Sequence, residues 1–256
     1  MELENIILEK KDHTAVLTLN HPPVNTFNLS TLKDMEKAVE EVENDSGCRV
    51  MIITGGGKKG FSAGFDVSDA ANGDEMLARG HQLWRKIELF PKPVIACLNG
   101  FAFGAGCELA LCCHFRIMEN KAGSKIGLPE LNLGMIPAWG GTQRLPRLVG
   151  KPKALEMILF SKKVTPEEAL EIGLVSQVTQ EGMGLEDSMA LASVIAKRPP
   201  IAVAGALKTI GMSLDVGIDE GLKAEMEEMK RIQKSADLIE GFQAFMEGRE
   251  PEFQGK

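Results

Sequence analysis

Short apolar runs alternate along the chain with stretches in which apolar residues recur every three or four positions. "TAVLTL" (14–19) is β-branched and apolar and stops at Asn20, His21 and two prolines, which predicts a strand. In "NLSTLKDMEKAVEEVEND", Leu32, Met35, Val39 and Val42 share one helical face, with Asn28 or Ser30 as the N-cap. "RVMIITGGG" predicts a strand ending in glycines, "HQLWRKIELF" a helix stopped by Pro91, and "PVIACLNG" a further strand. "HFRIME" predicts another strand, after a helix that starts near Gly106. Strand, glycine turn and helix thus repeat, the pattern of an α/β fold with parallel strands and crossover connections.

Beyond residue 150 the pattern turns helical. In "VTPEEALEIGLV", Thr165 is placed as N-cap, Pro166 at the first helical position and Glu168 to close a capping box, with Gly173 ending the helix. A break at Arg198, Pro199 and Pro200 precedes "IAVAGALKTIGMSL" and "DEGLKAEMEEMKRIQKS". In the second, Leu222, Met226, Met229 and Ile232 form one stripe, which either covers the core or meets another subunit.

Composition narrows the function classes. At 256 residues and 44% hydrophobic, the chain is long and apolar enough for a full core, and its net charge of −7 argues against a general nucleic-acid binder. A small anionic ligand stays open, because a few local donors suffice to hold one. Five cysteines without a spaced framework read as reduced thiols in a cytoplasmic setting. The opening twenty residues alternate charged with apolar positions and lack the apolar centre of a secretory signal. "VIACLNGFAFGAGCELALCC" has the length of a membrane span, but Asn99 and Glu108 would be costly inside one.

Candidate chemistry lies at glycine-rich turns and at two acids. "GGGKKG" (55–60) formally fits a dinucleotide cradle, with Asp74 at a ribose-binding distance, yet the residues after it keep breaking instead of opening a helix. A flexible turn is the preferred reading. "GFAFGAGCELA" places small residues before a helix N-terminus, a ready site for an oxyanion. Glu108 sits in the first turn of that helix among Cys107, Leu109, Ala110 and Leu111, and Glu130 lies among Leu128, Leu131 and Leu133. Two acids in apolar settings point to displaced pKa values and acid–base work, or to structural pairing. Cys112, Cys113 and His114 are consecutive and diverge around a helix, so no metal site is expected. Neither a G-x-S-x-G elbow nor a histidine placed to activate Cys107 is visible.

"FSAGFDV", "GFAFGAGCELAL" and the block from 127 to 175 resemble the enoyl-CoA hydratase/isomerase family, the crotonases, and the similarity runs to the tail "EGFQAFMEGREPEFQGK". The resemblance implies a spiral of β-β-α turns over residues 1–195, carrying the active site. A helical region over 196–256 would serve trimerisation and cover the acyl-CoA, the chain assembling as a homotrimer or as a homohexamer, a dimer of trimers. It implies that the amides of Ala63 and Ala105 form an oxyanion hole for the thioester, and that Glu108 and Glu130 are the two catalytic glutamates. Gly64, Phe65, Asp66 and Trp139 are implied around the substrate, with Asp66 shaping the coenzyme A site.

The implied activity is hydration of a short or cyclic enoyl-CoA, without metal or redox cofactor, since coenzyme A belongs to the substrate. A double-bond isomerase or another enolate-forming lyase is the enzymatic alternative. A non-catalytic acyl-CoA binder is the alternative of another class, and a dinucleotide oxidoreductase stands furthest off. Departures from the family pattern are Trp139, expected to narrow or flatten the acyl pocket, and Ala138, standing where a glycine commonly lies near the water. His114 replaces a common aspartate, and Gly248 stands where a lysine often meets the nucleotide.

Overall fold

The computed structural model describes residues 3–256, so Met1 and Glu2 of the opening segment lie outside it. Strands β1 (Ile6–Lys11) and β2 (Thr14–Leu19) pair antiparallel, and β3 (Thr26–Phe27) leads into α1 (Leu29–Asn44). Then follow β4 (Val50–Gly55), β5 (Gly60–Ser62), β6 (Gly64–Phe65), a 3-10 turn over Val67–Asn72, and α2 (Gly73–Glu88). Next come β7 (Val94–Leu98), β8 (Phe101–Phe103), α3 (Ala105–Cys112), β9 (Phe115–Asn120) and β10 (Ile126–Gly127). A second 3-10 turn, Glu130–Leu133, precedes α4 (Gly141–Val149), α5 (Lys151–Leu159), β11 (Lys163–Val164) and α6 (Pro166–Glu171). β12 (Gln177–Gln180) and the helices α7 (Gly184–Ala196), α8 (Pro200–Met212), α9 (Ile218–Ile232) and α10 (Ala236–Glu247) complete the chain.

The large sheet runs β1-β2-β4-β7-β9-β12, and every pair after the first is parallel. A smaller sheet runs β11-β10-β8-β5, and β3 pairs with β6. Three times the chain lays one strand in the large sheet, one in the small sheet, and then a helix: β4-β5-α2, β7-β8-α3 and β9-β10-α4. The α/β fold is therefore a spiral of β-β-α turns.

Side chains alternate across each strand. Met51 and Ile53 enter the main core with Met35, Val39, Trp84 and Ile87, whereas Val50 and Ile52 meet Ala192 and Ala196 of α7 on the other face. Both faces being covered explains why β4 reads as an unbroken apolar run. The N-cap of α1 is Asn28, whose Oδ1 accepts from the Thr31 amide at 2.7 Å. Thr165 and Glu168 form the expected capping box on α6, and Gly173 follows with a positive φ of 73°.

The apolar run from 94 to 113 divides into β7, β8 and α3. Among the described residues no single helix is long and apolar enough to cross a membrane. "GGGKKG" links β4 to β5, and the next α-helix starts only at Gly73, so no helix opens out of that glycine turn. All eight residues of α3 are buried. Its C-terminal carbonyls are capped by the buried Arg116, which donates to the carbonyls of Ala110 and Cys113 and, at 2.8 Å, to Leu174. That places a cation at the negative end of the helix and leaves the opposite end for the site.

Candidate active site

The site is built where the turn between β5 and β6 lies against the start of α3. Gly64 adopts φ +98°, and a Cβ there would stand 2.8 Å from the Phe103 carbonyl and 3.1 Å from the Ala105 nitrogen. Only glycine fits so close a crossing. A Cβ on Gly106 would likewise reach Ser62 at 2.7 Å. Ala105 is the first residue of α3, so its N–H has no acceptor within the helix. The preceding amide, on Gly104, donates to Gly127 at 3.1 Å.

The Ala63 amide is a correction: it donates to the Val24 carbonyl at 2.9 Å and is not free to hold a ligand. Asp66, at the end of the same segment, donates to Phe27 at 2.9 Å. Thr26 pairs with Gly64 and Phe27 with Phe65, and Asp66 donates to Phe27, so within this parallel pair the Phe65 amide points away from β3. Phe65 lines the cavity described next.

A cavity of about 500 Å³ opens in front of α3. Ala63, Phe65, Ala105, Glu108, Glu130 and Trp139 all line it, so most of the expected site residues come together. Gly64 and Asp66 do not line it. Asp66 caps the 3-10 turn, accepting from the Ser68 amide at 3.0 Å and from Thr26 Oγ1 at 3.1 Å, and borders a separate shallow groove with Lys33 and Lys37. The remaining cavity wall is largely apolar and includes Val67, Leu77, Leu133, Met135 and Ile136. Their roles were hidden in the sequence because they come from a 3-10 turn, a helix and a loop with no shared period.

Glu108 is 2% exposed, and its Oε1 accepts from the amides of Trp139 and Gly141, each at 2.8 Å. Gly141 opens α4, so the carboxylate sits on a helix N-terminus. Burial raises the Glu108 pKa, while those two amides and the charge of Arg144 oppose the rise. Glu130, at the head of the second 3-10 turn, leaves Oε2 buried without a hydrogen-bond partner. Burial pushes its carboxyl up to about 7, opposed by its own backbone amide and reinforced by the negative charge of Glu108. Burial therefore pushes both carboxyls up, and Glu108 alone has two amides and a cation opposing the rise.

Trp139 is 4% exposed and stands edge-on to Trp84 at 5.0 Å between ring centroids, to Phe27 at 6.2 Å and to Phe65 at 6.5 Å. Its indole occupies the space in front of Gly80, where a Cβ would come within 2.3 Å of the ring. The tryptophan is thus a fixed wall of the cavity. His114 is half-buried: desolvation lowers its pKa to about 4, and Nδ1 accepts from the Val94 amide at 2.9 Å. Gly248 closes α10 in the left-handed region. All five cysteines are buried and free, and burial raises the Cys107 thiol well above its ordinary pKa, which makes it a poor nucleophile. Among the described residues no three His, Cys, Asp or Glu side chains cluster to hold a metal ion.

A profile described as enoyl-CoA hydratase/isomerase matches residues 9–256. The chain is 39% identical to the short-chain-enoyl-CoA hydratase of Clostridium acetobutylicum, over 98% of each protein. It is 40% identical to the crotonyl-CoA hydratase of Syntrophomonas wolfei over the full length of both. Among solved structures, the enoyl-CoA hydratase from Bacillus anthracis superposes with a TM-score of 0.95 at 34% identity, covering 99% of this chain and all of that one.

Proposed function

The chain belongs to the enoyl-CoA hydratase/isomerase family, and from that premise we propose that it adds water across the 2,3 double bond of a short or cyclic enoyl-CoA to give the 3-hydroxyacyl-CoA. The observation that carries this reading is that Glu108 and Glu130 line one cavity beside the first amide of α3.

In this reading the thioester oxygen accepts from the amides of Ala105 and Phe65, which draws electron density from the double bond and makes Cβ electrophilic. Such a donor is worth about 2.7–4 kcal/mol in the barrier. Glu108, whose carboxylate form is favoured by two amides at the start of α4 against the cost of burial, takes a proton from water as its oxygen bonds to Cβ. Glu130, whose pKa near 7 keeps it substantially protonated in neutral solution, delivers its proton to Cα of the enolate. The sum is one water added. Glu108 ends protonated and Glu130 ionised, and exchange with solvent resets both. No electrons are transferred, so the balance calls for no redox cofactor, and coenzyme A enters as part of the substrate.

Two acids at one cavity favour hydration over double-bond migration, for which a single shuttling carboxylate suffices. The fixed Trp139 wall favours short or flat acyl groups over long chains. Residues up to 195 carry the active site, and the helices after 196 serve assembly as a trimer or hexamer in the cytoplasm. The apolar face they leave exposed, including Met226 at 59% and Phe245 at 86%, supports the assembly.

The test is turnover of crotonyl-CoA, of a cyclic enoyl-CoA and of a long-chain enoyl-CoA by the purified protein. The short or cyclic thioester is expected to gain one water, with hydroxyl at C3. A product of unchanged mass with a migrated double bond would install the isomerase instead, and binding without turnover would install the acyl-CoA binder.

A further inference from the structure

We propose that Arg144, oriented by Glu88, is a positioning residue that clamps the turn 138–141 so that both of its amides converge on Glu108. The inference rests on the hydratase reading for its consequence in turnover, but its geometry stands apart from it.

Glu108 takes both hydrogen bonds on one oxygen, from amides two residues apart in a turn that has no side-chain cap of its own. Convergence of two amides on one atom requires the peptides flanking Gly140 to hold a fixed orientation. Arg144, one turn along α4, supplies that restraint. Its Nη1 donates to the Trp139 carbonyl at 2.8 Å, the carbonyl of the same residue whose amide faces Glu108. Its Nη2 donates to Glu88 Oε2 at 2.8 Å, at the end of α2. The planar guanidinium thus ties the turn to a second helix in one rigid fork, which a lysine would reproduce only in part.

Gly140 adds an independent observation. It adopts φ +104°, and a Cβ there would lie 1.9 Å from Arg144 Nη1. The glycine both permits the bend and leaves room for the guanidinium to pass beneath it. Arg144 is only 12% exposed at its side chain, while Glu88 is 30% exposed and also accepts from Arg85 at 2.6 Å. The charged groups bearing on Glu108 are then Arg144 from α4 and Glu130 from the 3-10 turn, with Glu88 behind Arg144.

The experiment uses the full-length protein with Arg144→Met, Arg144→Lys and Glu88→Ala. It reads melting temperature, kcat and KM for crotonyl-CoA, and the titration of Glu108 followed by carboxyl 13C resonance. With Arg144→Met, kcat is expected to fall about 10- to 100-fold, by analogy with the loss of groups that orient metal ligands, with KM within about threefold. The Glu108 midpoint is expected to move upward by about one pH unit, since loosened amides and a lost cation both disfavour its charged form. Arg144→Lys should recover a substantial part of kcat. Should Arg144→Met not fold, the less buried Glu88→Ala reads the same clamp, with an expected fall in kcat of about threefold or more. Wild-type kcat together with an unmoved Glu108 titration in Arg144→Met, or in Glu88→Ala where that variant alone folds, would overturn the inference. A wild-type protein inert toward enoyl-CoA would overturn the hydratase reading instead, and the Glu108 titration would still decide the clamp.

Discussion

At the scale of single residues, the two acids of the cavity differ in their partners: two amides donate to Glu108, while Glu130 Oε2 is buried without one. Glu108 and Glu130 stand out because each is a carboxyl among apolar neighbours, and the structure places both at one cavity. What separates their roles was not legible, since the amides of Trp139 and Gly141 reach Glu108 across more than thirty positions. The Ala63 amide failed as an oxyanion donor for a related reason. Which way an N–H points depends on a backbone partner distant in sequence, here the Val24 carbonyl, and no local pattern encodes it. The Glu130 carboxyl has a stability consequence. Its folded pKa of about 7 exceeds the ordinary 4.5, so between those values the folded protein holds a proton that the unfolded chain has released. Its contribution to stability therefore falls as pH rises through that window and is fully unfavourable above it. Glu130→Gln, neutral throughout, is expected to stabilise the fold by about 1–2 kcal/mol at about pH 8, allowing for partial solvent access, and by nothing near pH 4. Denaturant melts at the two pH values check this, and a destabilised variant at the higher pH would contradict it.

At the scale of elements, the long pieces declared themselves and the short ones did not. β2, β4, β7 and β9 were visible as apolar runs, and α1 and α6 through their periodicity and caps. Strands β5, β6, β8, β10 and β11 span two or three residues each, too few to show a period, and exist because the small sheet and the β3–β6 pair hold them. Yet these short strands aim the site: β6 presents Phe65, and β8 delivers the chain into α3. Gly64→Ala tests that arrangement, because a Cβ 2.8 Å from the Phe103 carbonyl must push β6 off the start of α3. The expected outcome is a loss in kcat of about 10²–10³-fold, that of a misplaced oxyanion donor. Circular dichroism should stay close to wild type. Unimpaired kcat would show that the spacing between these two segments is not what sets activity.

At the scale of the whole molecule, the sequence indicated parallel strands joined by helices, and the resemblance supplied the spiral that pattern alone did not. The large sheet carries α7 on one face and turns the other to the main core, where Arg116 caps the end of α3. Helices α8 to α10 end with apolar side chains still facing outward, and, on the assembly proposed above, charges introduced together by Met226→Glu and Phe245→Glu are expected to lower the sedimenting mass toward that of one chain. An unchanged mass would contradict assembly through this face. The proposed chemistry has two acids act on one water beside the thioester grip. Its most direct measurement is the kcat of Glu108→Gln and Glu130→Gln on the enoyl-CoA that the wild type turns over, each variant verified as folded and able to bind substrate. Each is expected to lose about 10²–10⁴-fold, whereas wild-type turnover in either one would contradict the account.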